Sequence, residues 1–330
     1  MDFPETLATD DEGNCLIATA DELLDFSTYV NTKDDCTNMT FKLVNDIDLG
    51  SVGNFTPIGG DTFRFRGTFD GDGHTIKNLK ISTTEDYQGL FGCVGSSGKI
   101  QNVKLEKVKI EIYGSPRKPH WIDGEKGAQY PMNAVGGLVG YNFGKIFNCS
   151  VDGSVKGLRP CVGGIVGYNY GGTVRECFFS GSVETPTAGL GGIAGLNENS
   201  GKIENCKVNC SLYGSDKAGR VGGIVGSNYE STVSNCYAVI KHILAKDSYG
   251  GVVGFNRLGS SVSGYFYDES GNWLYGVGAG RAPIIQRNFT NSYCRTQSRR
   301  RQALSKSTGK FIATKPRRLS LRAHLRRTTK

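Results

Sequence analysis

The chain has 330 residues, with 38% hydrophobic side chains, 21% charged side chains and 47 glycines. The glycine share is about twice that of ordinary globular proteins, but the every-third-residue period of collagen is missing. No apolar stretch is long enough to predict a membrane-spanning helix, and the apolar content excludes general disorder. We therefore expect a folded, glycine-rich protein with no transmembrane segment.

The formal net charge of +8 is unevenly distributed along the chain. Residues 287–330 carry 14 Lys or Arg and no Asp or Glu, whereas the preceding residues carry more acidic than basic side chains. Arginines cluster at 299–301, 317–318 and 326–327. We expect this basic tail to be disordered, and a nucleic acid or an anionic surface is a candidate partner only through it.

The N-terminus and the cysteines exclude several other classes. Residues 1–6 show neither the basic start nor the apolar stretch of a signal peptide. Ten cysteines are too few for a disulfide scaffold, and neither Cys-x-x-Cys nor His-Glu-x-x-His occurs. We therefore expect no metal site, no cofactor and no zinc-peptidase activity.

The first element in chain order is a short helix. Thr19 and Glu22 have the spacing of a capping box, which predicts a helix over residues 20–31. Short strands are expected at 41–44 and 47–49. Residues 1–84 are predicted to cap the region that follows.

A tight turn is expected around Gly71, between two extended segments. Asp70, Asp72 and His74 lie in this turn and have the residue types of an acid/base cluster. Similar carboxylates do not recur at equal positions of the repeat described next. We therefore favour a polar turn over a catalytic role.

Internal repetition decides the predicted fold. A Gly-Gly-x-x-Gly-x-Asn heptad begins at Gly136, Gly163, Gly191, Gly222 and Gly250, at spacings of 27, 28, 31 and 28 residues. An earlier, degenerate copy begins at residue 88. The heptads at Gly136, Gly163, Gly191 and Gly222 are each followed by a tetrapeptide. Its first residue is Ile or Val and its fourth residue is Cys, as in Ile-Phe-Asn-Cys at 146–149.

A repeat of about 28 residues without helical periodicity is typical of one coil of a parallel β-helix. A β-propeller is the alternative, but its blades usually need about 40 residues. We therefore predict an all-β fold, with a parallel β-helix or solenoid over residues 85–286. A bend or bulge is expected inside each tetrapeptide, because its branched residue and its cysteine have opposite strand parity.

Residues at equal positions of successive coils should stack in columns about 4.8 Å apart. Glycines at the fifth heptad position need either a positive φ or a site without room for a Cβ atom. The asparagines should form a structural ladder, and the cysteines should pack inward, although disulfides and metal binding are alternatives. The columns comprise Gly92, Gly140, Gly167, Gly195, Gly226 and Gly254; Asn142, Asn169, Asn197, Asn228 and Asn256; and Cys149, Cys177, Cys206 and Cys236.

An insertion at 113–133 interrupts the repeat and predicts a loop on the binding face. Its aromatic and imidazole side chains are the candidate binding residues Tyr113, His120, Trp121 and Tyr130. Such side chains could stack on a surface glycan or anchor a host or cell-surface protein. The alternative is a loop folded over the coil edge with Trp121 buried.

The heptad core, as in Gly-Leu-Phe-Gly at 89–92 and Gly-Leu-Val-Gly at 137–140, resembles the GLUG repeat. The resemblance covers about residues 14–280. It implies a secreted or surface-attached bacterial protein with a β-helical stalk, located outside the cell or at its surface. Some GLUG proteins carry a metallopeptidase domain, whose motif is missing here.

The leading functional hypothesis is a non-catalytic repeat protein that acts as a structural spacer or an adhesive binding module. The alternative is a β-helix enzyme acting on polysaccharide, which would require carboxylates from adjacent coils to converge. Binding of nucleic acid or anionic surfaces through the basic tail is a third hypothesis, and it predicts salt-dependent affinity.

Overall fold

The computed structural model describes residues 6–60, 62–114, 134–158, 160–215, 219–245, 249–257 and 259–268, which belong to one structural unit. The helix and strands, in chain order, are β1 (Cys15–Ile17), α1 (Ala20–Thr32), β2 (Thr40–Leu43), β3 (Ile47–Asp48), β4 (Thr68–Asp70), β5 (Thr75–Lys77), β6 (Lys80–Thr83), β7 (Phe91–Val94), β8 (Lys99–Gln101), β9 (Lys104–Ile112), β10 (Val135–Gly136), β11 (Val139–Asn142), β12 (Lys145–Phe147), β13 (Ser150–Lys156), β14 (Val162–Gly163), β15 (Val166–Tyr170), β16 (Thr173–Arg175), β17 (Phe178–Thr185), β18 (Leu190–Gly191), β19 (Ala194–Glu198), β20 (Lys202–Glu204), β21 (Lys207–Gly214), β22 (Val221–Gly222), β23 (Val225–Asn228), β24 (Thr232–Leu244), β25 (Tyr249–Gly250), β26 (Val253–Asn256) and β27 (Ser261–Asp268).

These strands form a parallel β-solenoid of about 8 turns with about 29 residues per coil, which confirms the predicted fold class. Among the described residues the strands make three sheets of 16, 5 and 6 strands. One repeat contributes four strands, as β12, β13, β14 and β15 do, and each strand pairs with its equivalents in the neighbouring coils. The prediction of a disordered tail concerns residues 287–330, which lie outside the described residues.

The strand registers follow the sequence repeat. Val139 pairs with Val166, which pairs with Ala194, at the 27- and 28-residue spacings of the heptads. The longer coil that follows keeps this register, because Ala194 pairs with Val225. Since the extra residues are taken up between strands, the stacked side chains stay aligned.

The core consists of stacked apolar side chains inside the coil. One column contains the first residue of each tetrapeptide, and a second column contains the residue two positions after its end. All side chains of both columns are at most 1% exposed. Burial of such side chains stabilises the fold by about 1.5–3 kcal/mol each, before conformational entropy is subtracted. The columns are Ile100, Ile146, Val174, Ile203 and Val233, and Leu105, Val151, Phe179, Val208 and Ala238.

Helix α1 covers the apolar end of the first coils. The predicted capping box is confirmed: Thr19 Oγ1 accepts from the backbone N–H of Glu22, whose carboxylate accepts from the Thr19 N–H. Phe26 is fully buried, and its ring centroid lies 4.3 Å from that of Phe41 and 5.8 Å from that of Phe69. The helix therefore shields a solenoid end that would otherwise expose its core.

The strands before the recognisable heptads stack in the same sheet as the repeats. Phe41 pairs with Phe69, and Phe69 pairs with Ile100. These first coils lack the Gly-Gly heptad, and this is why their period is harder to detect in the sequence. None of the helices in the described part of the chain is long and apolar enough to cross a membrane.

Candidate functional site

The glycine column is explained by lack of space. None of its members has a positive φ, but a Cβ on Gly195 would lie 2.3 Å from the backbone nitrogen of Val162. A Cβ on Gly167 would lie 2.3 Å from the backbone nitrogen of Val135. These distances are far below van der Waals contact. The structure therefore selects the second of the two explanations drawn from the sequence.

The asparagine column forms a continuous amide ladder. The Nδ2 of Asn142 donates to Asn169 Oδ1 at 2.7 Å, and the chain of amides continues through Asn197 and Asn228 to Asn256 at 2.7, 2.9 and 2.9 Å. The Nδ2 groups of the first four also donate to a backbone carbonyl in their own turns, at 2.9–3.3 Å. These four are fully buried, so their amides are committed to the fold.

The cysteine column is buried inside the coil. The Sγ of Cys149 lies 3.1 Å from the carbonyl oxygen two residues earlier, and those of Cys177, Cys206 and Cys236 make equivalent contacts at 3.3 Å. Burial raises the pKa of Cys177 and Cys236, which keeps these two thiols protonated, whereas at Cys206 burial is outweighed by hydrogen bonds from these two neighbours, which lower its pKa. Protonated, buried thiols are poor nucleophiles and poor metal ligands. The cysteines in the described residues are free, and no group of metal-ligating residues occurs there.

Most of the predicted binding loop lies outside the described residues. This holds for His120, Trp121 and Tyr130. Tyr113 is described: its backbone N–H donates to the carbonyl of Thr83 at 3.0 Å, and its side chain is 53% exposed.

The side chain of Asp70 stabilises its turn through hydrogen bonds. Its carboxylate accepts from the backbone N–H of Asp72 at 2.9 Å, from Gln101 Nε2 at 2.6 Å and from Asn102 Nδ2 at 2.9 Å. Burial opposes ionisation, but these hydrogen bonds outweigh it and lower the pKa of Asp70. His74 faces the Asp46 carboxylate, with 3.6 Å between Nδ1 and Oδ1. Asp70 therefore acts as a structural acceptor.

The corner between the first two strands of each coil carries a residue with positive φ. The corner column consists of Asn102, Asn148, Glu176, Asn205 and Asn235, with φ between 49° and 58°. Asparagine tolerates this left-handed conformation better than most residues. The column is the predicted bend of the tetrapeptide. The recurring Asn before Cys was a signal for its position that the sequence reasoning missed.

The corner depression is an open cavity of about 280 Å³ on the outer surface beside this column. It spans successive coils, because Asn148 Nδ2 donates to Asn102 Oδ1 across them at 2.8 Å. Phe178 stands at one side with 40% of its side chain exposed. The lining includes Asp72, Asn102, Lys104, Asn148, Glu176 and Phe178. None of these residues was a binding candidate from the sequence.

Glu176 is an exception in the corner column. It is exposed, its φ is 58°, and its carboxylate pairs with Arg175 Nε at 3.4 Å. A left-handed conformation costs a residue of this kind roughly 1–2 kcal/mol. Phe178 pairs with Ser150 on one side and Lys207 on the other, and the same row continues to Tyr237. One atypical residue, Glu176, and one exposed aromatic ring, Phe178, therefore adjoin the same depression.

An aromatic stack borders the fourth strands of the coils. The rings of Tyr141 and Tyr168 are parallel within 8°, with centroids 4.8 Å apart, and Tyr87 stacks on Tyr141 at 6.1 Å. The Tyr168 hydroxyl donates to the Glu198 carboxylate. Burial raises the pKa of Tyr141 and Tyr168, so both remain neutral phenols. This stack belongs to a second small hydrophobic cluster.

The chain is similar to known proteins in its repeats and in its fold. A sequence profile described as the GLUG motif matches residues 133–156, 159–184 and 217–241. The fold is similar to a "putative immunoglobulin A1 protease" from Bacteroides ovatus, with a TM-score of 0.55, 22% identity and 78% of each chain covered. At this level of identity the likeness shows the fold alone.

Two curated relatives match about a third of the chain. A "Putative Gly-rich membrane protein" of Evansella cellulosilytica is 35% identical over 119 residues, which are 34% of this chain and 12% of the relative. Halomucin of Haloquadratum walsbyi is 32% identical over 127 residues, which are 36% of this chain and 1% of the relative. The three matches to the motif fall on coils of the solenoid, so these coils carry GLUG repeats.

Proposed function

We propose that the chain is a rigid, non-catalytic spacer within a surface or secreted protein. The observation that carries this proposal is the asparagine ladder, which runs unbroken from Asn142 to Asn256 through five coils. Each coil also pairs its strands with both neighbours, so an axial load is shared by many hydrogen bonds. Such a stack suits a role in separating two parts of a molecule.

The surface location is supported by the relatives. One carries the description of a membrane protein, and the chain spans 12% and 1% of the two relatives' lengths. A segment that corresponds to so small a part of larger proteins is consistent with a repeated structural module. Localisation of the full-length protein in its native cell, by protease accessibility of intact cells, tests this part of the proposal.

Pulling the chain by its two ends in optical tweezers tests the spacer role. We expect the solenoid to resist and then to open in discrete steps. A coil of about 29 residues should release about 100 Å of extended chain. Smooth extension at low force, without steps, would contradict a load-bearing role.

An adhesive role is the second candidate, and the corner depression favours it. The depression presents an exposed aromatic ring beside amides, carboxylates and an ammonium group on the outer surface. These groups are suited to binding, because sites of this kind combine an apolar face with a few oriented polar groups.

The same depression gives little support to hydrolysis of a polysaccharide. Its carboxylates, Asp72 and Glu176, belong to corners three coils apart, so their backbones are separated by about 14 Å at the spacing of stacked strands. Glycosidases place their two carboxyl groups about 5–9.5 Å apart, a range that these side chains would reach only if both extended toward each other along the axis. We expect no release of reducing ends when the protein is incubated with cellulose, xylan or pectin. Release above the buffer control would favour the enzyme hypothesis.

A further inference from the structure

We propose that the corner depression binds a neutral glycan chain, with one pyranose ring stacked on Phe178. This inference deepens the adhesive role and is independent of the spacer role. It rests on a cavity built by residues from four coils. One of those residues, Glu176, departs from the asparagines that the other coils place at the corner, and another, Phe178, exposes an aromatic ring.

The aromatic ring supplies the stacking surface. Phe178 is 40% exposed at the edge of the depression, whereas Phe179, the next residue in the chain, is fully buried. The face of an aromatic ring carries negative charge density, and the axial C–H groups of a pyranose carry the opposite partial charge. A sugar ring can therefore cover Phe178 and remove its exposed apolar surface from water.

The polar lining matches the hydroxyl groups of a sugar. The carboxylates of Asp72 and Glu176 accept hydrogen bonds, the Lys104 ammonium donates them, and the amides of Asn102 and Asn148 can do both. Sugar hydroxyls also donate and accept, so they can bond to every group in this set. A ligand with only donors or only acceptors would leave some of these groups unpaired.

The charge of the depression favours a neutral ligand. The charges around it balance, because its two carboxylates are matched by the Lys104 ammonium group and by Arg175, whose Nε lies 3.4 Å from the Glu176 carboxylate. A uronate or a sulfated sugar would bring further negative charge close to Asp72 and Glu176, which selects against acidic glycans. The distance between these two residues, about 14 Å along the solenoid axis, leaves room for a short oligosaccharide rather than a single sugar.

The backbone of Glu176, which lines the depression, has an energetically unfavourable conformation. Its four counterparts in the corner column are asparagines, which tolerate a positive φ, whereas Glu176 adopts φ 58°. Asparagine at this position would relieve the backbone. Strained residues cluster at binding sites, where the side chain has a role that the local fold does not need.

The test is calorimetric titration of the full chain with cellohexaose, xylohexaose, mannohexaose and chitohexaose, with polygalacturonate as the acidic probe. We expect at least one neutral oligosaccharide to bind and polygalacturonate not to bind. Phe178→Ala should weaken that binding about tenfold or more, because the stacking surface is lost.

Glu176→Asn separates binding from folding. We expect this variant to bind at least about tenfold more weakly, since a carboxylate acceptor is lost, and yet to melt about 2 °C higher, since the backbone is relieved. Tyr213→Ala is the matched control: this ring is 38% exposed on the same sheet but does not line the depression. It should bind like the unmodified chain.

Three results would overturn the inference. They are no binding of any of the four neutral oligosaccharides, tighter binding of polygalacturonate than of the neutral probes, and equal loss of binding in Tyr213→Ala and Phe178→Ala. The melting temperature and the stepwise opening under force report on the spacer role separately. A failure of glycan binding is therefore distinguishable from a failure of the spacer.

Discussion

Glycine at the fifth heptad position is required because neighbouring backbones meet there. The same steric rule explains Gly92, whose Cβ would lie 2.2 Å from the carbonyl oxygen of Gly59. Flexible side chains could move away from an added methyl group, but backbone atoms held in a sheet cannot do so without breaking hydrogen bonds. At these positions, therefore, even alanine should be harmful.

Gly195→Ala should destabilise the protein by about 1–3 kcal/mol, because its Cβ would lie 2.3 Å from the backbone nitrogen of Val162. The matched control is Gly60→Ala, which has no atom within 4 Å of its new Cβ and should leave stability nearly unchanged. Urea unfolding followed by circular dichroism measures both. Equal midpoints for the two variants would disprove the steric explanation.

Asp70 should contribute stability that is lost in acid. Its pKa in the folded protein is below the ordinary value of 3.8, so its contribution is present above about pH 4 and disappears as pH falls through the lower folded value. Asp70→Asn should therefore lower the urea midpoint at pH 6. Below pH 4, the midpoint of this variant should fall less steeply with pH than that of the unmodified chain. Asp25→Asn, at an exposed helix position, should parallel the unmodified chain. Parallel curves for Asp70→Asn would refute this role.

The column cysteines should resist alkylation in the folded state. Cys149, Cys177, Cys206 and Cys236 are at most 2% exposed, and thiols must ionise and meet the reagent to react. Mass spectrometry after iodoacetamide treatment should find these four unmodified without denaturant and fully modified in guanidinium. Rapid native labelling of all four would show that the column is open to solvent.

At the scale of the element, buried polar groups stack as regularly as the apolar columns. Each internal asparagine satisfies both its own turn and the next coil, so the ladder fixes register as well as adding hydrogen bonds. A one-residue slip would leave amides buried without partners, which is costly in a low-dielectric interior. The ladder therefore excludes alternative pairings of nearly identical coils.

Asn197→Ala should lower stability by about 1–3 kcal/mol, because Asn169 Nδ2 and Asn228 Oδ1 each lose a partner inside the core. Asn256→Ala is a graded control, since Asn256 is only partly buried at the last rung. We expect a smaller loss there. Thermal and urea unfolding should rank the variants in this order, and the reverse order would contradict the ladder's contribution.

At the scale of the whole molecule, a solenoid is stabilised by contacts between adjacent coils and needs its ends covered. Helix α1 provides such a cover through Leu23, Phe26 and Val30, which are fully buried. We propose that the basic tail has no equivalent role at the other end. Its composition offers many like charges and few apolar side chains to bury.

A chain ending at Gln286 should therefore keep nearly the same thermal midpoint and remain soluble. Its binding to duplex DNA or anionic vesicles at low salt should disappear, because the basic residues at 287–330 are removed. Differential scanning calorimetry and a gel-shift assay measure the two effects. Aggregation or a large fall in the midpoint would show that the tail covers the solenoid end.

The architecture of a single coil can be predicted from local patterns in the sequence. The heptad spacing, the alternation of apolar residues and the capping box at Thr19 are local patterns, because each reports the contacts of one strand or one turn. Stacking of equal positions then followed from the repeat. The ladder of amides and the inward cysteines are consequences of the same period, since a residue that recurs once per coil must meet its own copies.

Contacts between unlike residues of different coils could not be predicted from the repeat, because they depend on the stacking of the coils. Asp72, Asn102 and Glu176 are far apart in the sequence, and the corner depression that they line exists because four coils of different length keep one register. The reason for the glycine column was also a property of the stack, since its clashes are with backbone of other coils. The repeat in the sequence shows which residues the coils have in common. The proposed binding site depends on residues that differ between neighbouring coils.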